Sequence, residues 1–332
     1  MARAIPTVFG SEFHAQMPVM MYDGKAWSAP VWQASNQLTL HPAAHCLHYG
    51  STIFEGLKAF RHADNRIGIF RLDRHIARMM ASARALHLPV PDSTLLHDAI
   101  VELVKRAVDD TPERPGSLYL RPTLIGTEAN VGKAGTPSEQ ALLYVLASPV
   151  GDYFVAGSPM KLLVETEHAR CAPHMGSIKT GGNYASALHW QAKAKAELGA
   201  NQVLFCPGGD VQETGASNFI VISGNTLITK RLTSEFLHGV TRDSVLQVAR
   251  DRGMDVQERD FTVAELQQWL ANGAEAALTG TAAVISPVTS MVIAGKDITL
   301  ASQQQALALR QAVMDIQYGA SADLHGWLTF VN

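Results

Sequence analysis

Gly176-Ser177-Ile178-Lys179-Thr180-Gly181-Gly182-Asn183-Tyr184 sets a lone lysine among small, apolar and glycine residues. An arbitrary lysine is ordinarily a solvated charge in a surface loop. Here paired glycines let the backbone and a bulky ligand approach each other closely. An amine held among such groups loses solvation and becomes a usable nucleophile toward a carbonyl, which is the chemistry of a Schiff base. Whether that reading holds depends on what the rest of the chain supplies.

At 332 residues, 47% of them apolar, the chain is too long for one small core, and two globular domains are expected. A net charge of -3 argues against nucleic acid or an anionic membrane as partner. No apolar run approaches the roughly 20 residues that span a bilayer, and Met1-Ala2-Arg3-Ala4-Ile5-Pro6 is too short and weakly apolar for a signal peptide. A soluble, cytoplasmic protein is expected. Cys46, Cys171 and Cys206 are widely spaced and odd in number, which fits packing residues in a reducing compartment.

Apolar spacing predicts helices over 73–88 and 92–108, a strand over 117–124 with Leu118 and Leu120 on one face and Tyr119 and Arg121 on the other, and a strand covered on both faces over 141–147. The proline- and glycine-rich run from Ser148 to Pro159 reads as the linker. Beyond it come strands at 161–165, 202–205, 219–222 and 227–229, and helices at 184–198, 241–252, 263–271 and 302–318. The architecture expected is α/β (α+β), with a small N-terminal domain over 1–150, a linker over 151–159 and a large C-terminal domain over 160–332.

An aldehyde cofactor such as pyridoxal phosphate also needs an anion site, an acid partner for its ring nitrogen and a partner for its ring hydroxyl. Leu237-His238-Gly239-Val240-Thr241-Arg242-Asp243 is a glycine turn entering a helix, whose free N–H groups and dipole suit a phosphate; Thr241 is equally an ordinary helix start. Thr279-Gly280-Thr281-Ala282 offers a second such turn, or a plain strand end. Glu213, in a turn of small residues, is a carboxylate for a protonated pyridine nitrogen or a solvated turn residue. Arg71, at a helix entrance, reaches a phosphate or is a surface charge. His41, His45, Cys46 and His48 have spacings that a metal site uses, yet Pro42 interrupts them and no acidic ligand is near, so structural roles are expected and no metal.

From about Phe9 to its C-terminus the sequence resembles the branched-chain amino-acid aminotransferases, members of the fold-type IV pyridoxal-phosphate enzymes. The resemblance is carried by Leu47-His48-Tyr49-Gly50-Ser51-Thr52-Ile53-Phe54-Glu55-Gly56-Leu57-Lys58-Ala59-Phe60, by Ser117-Leu118-Tyr119-Leu120-Arg121-Pro122-Thr123-Leu124-Ile125-Gly126-Thr127-Glu128 and by Lys179 to Tyr184. Gly239-Val240-Thr241-Arg242, Gly280-Thr281-Ala282-Ala283 and Asp315-Ile316-Gln317-Tyr318-Gly319 add to it.

The resemblance implies the two-domain fold-type IV architecture with pyridoxal 5'-phosphate at the domain interface, and a homodimer in which a small-domain loop containing Lys133 helps close the other subunit's pocket. It makes Lys179 the catalytic residue and the Schiff-base lysine. It sets Glu213 on the pyridine nitrogen, Tyr184 on the ring hydroxyl and Arg71, Val240, Thr241 and Thr281 on the phosphate, with Leu237, Gly239 and Gly280 completing the cofactor set. Tyr49, Phe54, Tyr119, Arg121, Tyr153, Thr281 and Ala282 fall at substrate positions. The implied activity is reversible transfer of the amino group between L-leucine, L-isoleucine or L-valine and 2-oxoglutarate, with Arg121 helping to accept the second carboxylate of glutamate. Many longer members carry threonine where Ala216 stands and an apolar residue where Lys133 stands. Within the same fold a D-amino acid or (R)-amine transaminase and an aminodeoxychorismate lyase would keep Lys179 and Glu213; from another class, a cofactor-binding protein without turnover would have no need of both a base and an electron sink.

Overall fold

The computed structural model describes residues 3–152 and 159–331. They form two compact units. One holds the described residues up to 152, Ile178–Gly181 and those from Ile316 onward; the other holds 159–177 and Gly182–Asp315. Residues 153–158 of the expected linker lie outside the described residues.

The first unit begins with strands β1 (Gln16–Tyr22) and β2 (Val31–Ala34), the short helix α1 (His45–Tyr49), and strands β3 (Thr52–Phe54), β4 (Leu57–Arg61) and β5 (Ile67–Phe70). Helices α2 (Leu72–Ala85) and α3 (Ser93–Arg106) follow, then β6 (Ser117–Gly126) and β7 (Ala141–Val150). Helix α2 buries Ile76, Met79, Met80 and Ala83, a repeat of three and four residues that makes one apolar stripe. It stops earlier than expected because His87 turns left-handed at φ 52°, so the chain leaves the helical path before Pro89. Asp92 caps α3 by accepting from Thr94 N at 2.6 Å.

Strand β7 runs past the expected limit at Ala147 and takes in Ser148, Pro149 and Val150, which the proline had suggested were linker. All ten of its residues pair with β6, whereas β1 pairs only with its first part, 141–144. Pro149 therefore sits where the β1 side of the ladder has already ended, and its missing N–H breaks no bond there. In β6, Leu118 and Leu120 are buried while Tyr119 and Arg121 are half-buried on the other face. The register sets Lys58 opposite Tyr119 and Phe54 opposite Thr123, so all of these share one face.

In the second unit the order is β8 (Lys161–Glu165), α4 (Gly181–Leu198), β9 (Gln202–Phe205), β10 (Asn218–Ser223), β11 (Thr226–Thr229) and α5 (Val240–Asp251). There follow β12 (Asp255–Glu258), α6 (Val263–Ala271), β13 (Glu275–Gly280), β14 (Val284–Pro287), β15 (Ser290–Ile293), β16 (Lys296–Thr299) and α7 (Gln304–Gln317). These strands make a five-stranded sheet, β12-β11-β10-β13-β14, and a four-stranded sheet, β16-β15-β8-β9. Leu162, Leu204, Phe219, Val221, Leu278 and Met291 belong to one core cluster drawn from both sheets. The last strand, β17 (Leu328–Val331), completes the sheet of the first unit, ordered β17-β5-β4-β6-β7-β1-β2 with β3 also on β6.

Candidate active site

In the first unit the lysine segment is laced to β3. Phe54 N donates to Lys179 O at 3.0 Å, and Thr180 Oγ1 donates to Thr52 O at 2.7 Å. From the other side Lys179 N donates to Ser82 Oγ of α2 at 3.1 Å. The lysine backbone is thus fixed while its side chain stays half-buried, with Nζ 5.0 Å from the centre of the Phe54 ring. The Arg121 guanidinium lies 4.6 Å from the same ring and donates through Nη2 to Tyr119 Oη at 2.8 Å. A Cβ at Gly56 would come 2.1 Å from that Tyr119 oxygen, so a side chain there would displace the phenol. Phe54, Tyr119, Arg121 and Lys179 therefore converge: one aromatic ring carries two cations, and a phenol sits beside one of them.

Behind Phe54, on the opposite side of the strand, lies a group that sequence reading did not single out. Glu55, 1% exposed, accepts from Arg78 Nε at 2.7 Å, from Arg78 Nη2 at 2.8 Å and from His75 Nδ1 at 2.7 Å. Burial alone would raise the Glu55 pKa, but the charges and hydrogen bonds of Arg78 and His75 outweigh it and hold the carboxyl well below its usual range. Burial lowers the pKa of His75, against the pull of Glu55. The only signal in sequence was a glutamate inside an otherwise apolar and glycine stretch.

Other sequence candidates of this unit have contacts of their own. Arg71 is 5% exposed, so it is no surface charge; it holds a left-handed φ of 57° at the start of α2, donates its backbone N–H to Trp327 O at 2.7 Å and sets its guanidinium 4.8 Å from the Trp327 ring. Tyr49 ends α1 and donates its hydroxyl to Val131 O. Lys133 pairs with Glu128 at 2.7 Å. Tyr153, expected at the substrate, lies outside the described residues. Among the histidines weighed as metal ligands, His45 accepts from Ser51 and donates to the Lys133 and Thr136 carbonyls, His48 donates to Pro42 O, and His41 accepts from Ala43 N.

In the second unit Glu213 is 2% exposed, against the solvated-turn reading. Its carboxylate meets Arg170 Nη1 at 2.7 Å, Leu237 N at 3.0 Å and Asn218 Nδ2 at 3.1 Å. Asn218 also donates to Leu237 O at 2.8 Å, which ties the carboxylate to the loop ahead of α5. The same Arg170 lies 5.6 Å from the Tyr184 ring on α4. Arg170 and Asn218 had no sequence signal, because their meaning comes from contacts 43 and 5 residues away from Glu213 along the chain.

That loop leads into a helix start without a side-chain cap. Gly239 is the cap residue, and the first helical bond is Asp243 N to Gly239 O, so the N–H groups of Val240, Thr241 and Arg242 precede the ladder. A Cβ on Gly239 would lie 2.0 Å from Asn218 Oδ1, so a side chain there would push Asn218 aside. At the end of β13, Gly280 pairs with Val284 across the turn holding Thr281 and Ala282, and Arg310 Nε donates to Ala283 O at 3.2 Å. Thr279 Oγ1 is buried with no hydrogen-bond partner among the described residues.

Comparison with known proteins bears on these groups. The sequence model of the family described as amino-transferase class IV matches residues 52–291. The chain is 39% identical to a probable branched-chain-amino-acid aminotransferase of Streptomyces coelicolor, over 96% of this chain and 91% of that one. It is 35% identical to branched-chain-amino-acid transaminase 1 of Bacillus subtilis, over 96% and 92%. Its fold is similar to the crystal structure of a T.th. branched-chain amino acid aminotransferase with pyridoxamine 5'-phosphate (TM-score 0.80, 29% identity, 97% and 100% covered). It is similar too to the complex of that protein with N-(5'-phosphopyridoxyl)-L-glutamate (TM-score 0.79, 28% identity, 97% and 100% covered).

Proposed function

The chain belongs to the class IV amino-transferases, and on that premise we propose that it moves the amino group of L-leucine, L-isoleucine and L-valine to 2-oxoglutarate, reversibly and by a ping-pong route. It is a transaminase whose cofactor is pyridoxal 5'-phosphate. The residues present suit that group. Glu213 is a buried carboxylate for a ring nitrogen, Tyr184 a phenol for a ring hydroxyl, and the uncapped start of α5 offers backbone N–H groups to a phosphate. Arg71, Leu237, Gly239, Gly280 and Thr281 complete the proposed cofactor set.

When bound, the cofactor supplies an electron sink that makes the substrate α-proton acidic. Lys179 Nζ takes that proton from the α-carbon, and the anchoring of its backbone by Phe54 and Ser82 fixes where the amine starts. Glu213 holds positive charge at the ring nitrogen, which sustains the sink.

The observation that carries the substrate class is the Phe54 ring shared by Lys179 and Arg121, with the Arg121 guanidinium on the Tyr119 hydroxyl. A ring packs against an aliphatic side chain, and a guanidinium donates to a carboxylate. One site can thereby take leucine in one half-reaction and glutamate in the other. Tyr49, Tyr119, Tyr153, Thr281 and Ala282 belong to the same proposed substrate set. We assign a homodimer in the cytoplasm, supported by the exposed apolar side chains Leu47 and Val131 and by three free cysteines.

The test is the visible absorbance of the protein loaded with pyridoxal phosphate. The band should bleach with L-leucine and return with 2-oxoglutarate. A band indifferent to L-leucine but bleached by a D-amino acid, or by an amine lacking a carboxylate, overturns the substrate assignment; failure to take up the cofactor overturns the class.

A further inference from the structure

Arg170 is buried, 3% exposed, in the loop after β8, and it touches two of the groups assigned to the cofactor. Nη1 meets Glu213 Oε1 at 2.7 Å, Nε donates to Gly215 O at 3.1 Å, and the guanidinium carbon lies 5.6 Å from the Tyr184 ring centre. Its neighbour Cys171 sits within 4.0 Å of Nη1 through sulfur. Three segments, the loop after β8, the turn at Glu213 and helix α4, therefore meet on one guanidinium. Resting on the assignment of Glu213 and Tyr184 to the cofactor, we propose that Arg170 is a positioning residue for this reaction: it holds the Glu213 carboxylate charged and aimed, and fixes the Tyr184 ring relative to it.

The chemistry follows from burial. A carboxylate removed from water keeps its charge only beside a counter-charge, and it keeps a direction only if its donors are fixed. Asn218 and the Leu237 N–H fix direction but bring no charge; Arg170 brings both, because its fork is planar and its Nε is tied to a backbone carbonyl. A cation against the Tyr184 ring also makes its hydroxyl a stronger donor toward a ring oxygen. A lysine could supply the charge but not the fork.

The experiment compares the loaded wild type with Arg170→Gln, Arg170→Lys, Glu213→Gln and the double variant Arg170→Gln/Glu213→Gln. Each is followed by pyridoxal-phosphate titration, visible spectrum and steady-state kinetics with leucine and glutamate. Arg170→Gln should weaken cofactor binding about tenfold to a hundredfold, move the band, and lower kcat for both amino acids by a similar factor with KM little changed. Arg170→Lys should recover only part. If Arg170→Gln alone does not fold, the double variant, in which the buried pair is neutral, carries the test: adding Arg170→Gln to Glu213→Gln should change binding and band little further. An Arg170→Gln protein with the wild-type band and cofactor affinity overturns the proposal, as does an undiminished effect in the Glu213→Gln background. Failure of the wild type to bleach with leucine would instead strike the functional assignment.

Discussion

Two buried glutamates, one in each unit, hold an arginine and look alike until their partners are traced. Glu55 is gripped by the Arg78 fork across both oxygens and by His75, and both partners come from α2. Glu213 takes an arginine nitrogen, a side-chain amide and a backbone N–H, which come from the loop after β8, the first residue of β10 and the loop ahead of α5. The first arrangement bolts the connection between β3 and β4 to a helix. The second suspends a carboxylate among segments whose helix start lacks a side-chain cap and whose Gly239 lies against Asn218. A buried charge by itself is therefore no mark of chemistry; the elements that supply its partners decide whether it serves the framework or a ligand.

The comparison presumes that the lysine beside Phe54 does the chemistry, and that is where it breaks most completely. Lys179→Ala should cut transamination by about 10⁴-fold or more while leaving the thermal transition near that of the wild type. Turnover within tenfold of wild type would remove the reason for assigning either glutamate relative to it.

Conversion of each glutamate to glutamine then separates their roles. Glu213→Gln should lower kcat by about a hundredfold, since the electron sink loses its counter-charge, and should also destabilise, because it strands the buried Arg170. Glu55→Gln shares the stability loss and not the kinetic one: it strands Arg78 in the interior and should destabilise by roughly 3–5 kcal/mol, with kcat of the folded fraction within a few-fold of wild type. Denaturant unfolding and kinetics on the same preparations read both. A Glu55→Gln enzyme that is stable but inactive would erase the distinction.

Why sequence reading reached one glutamate and passed over the other is instructive. Glu213 stood out as a carboxylate in a turn of small residues, whereas Glu55 was quoted inside a family pattern without a partner to give it meaning. His75 and Arg78 lie 20 and 23 residues away, and no local spacing joins them to it. Helices α2, α3, α5 and α6 were legible because an apolar stripe is written within one segment, with a cap added at α3 and α6. Short strands such as β3 and β15 were not, because three or four residues hold too little alternation to register. Pro149 misled for a related reason: whether a proline breaks a strand depends on which neighbours its N–H would face.

Arg121 extends the comparison to a charge outside both glutamate clusters. Its contact with the Phe54 ring and Tyr119 predicts a role in substrate choice, with none in cofactor binding. Arg121→Met should reduce kcat/KM for glutamate about ten- to a hundredfold and for leucine only a few-fold, because a lost charged hydrogen bond amounts to about 1.5–3 kcal/mol. Equal losses for the two amino acids would mean that the guanidinium binds the α-carboxylate alone.

The smallest effect concerns the framework cluster and pH. His75 has its pKa lowered from 6.5 by burial, so the folded protein binds fewer protons there than the unfolded chain once pH falls below 6.5. Stability contributed by the neutral ring is complete above that value and declines below it, by up to about 1.4 kcal/mol per pH unit. Glu55 acts in a separate window: its depressed pKa adds stability above the ordinary value of 4.5 and loses it only as pH drops further. His75→Gln keeps a donor for Glu55 and removes the titration, so the slope of melting temperature between about pH 6.5 and 5 should flatten while the acid limb below 4.5 persists. An unchanged slope would mean that His75 already carries its proton in the folded protein, so that Glu55 faces an imidazolium in addition to its guanidinium, a second cation of a kind that Arg170 does not bring to Glu213.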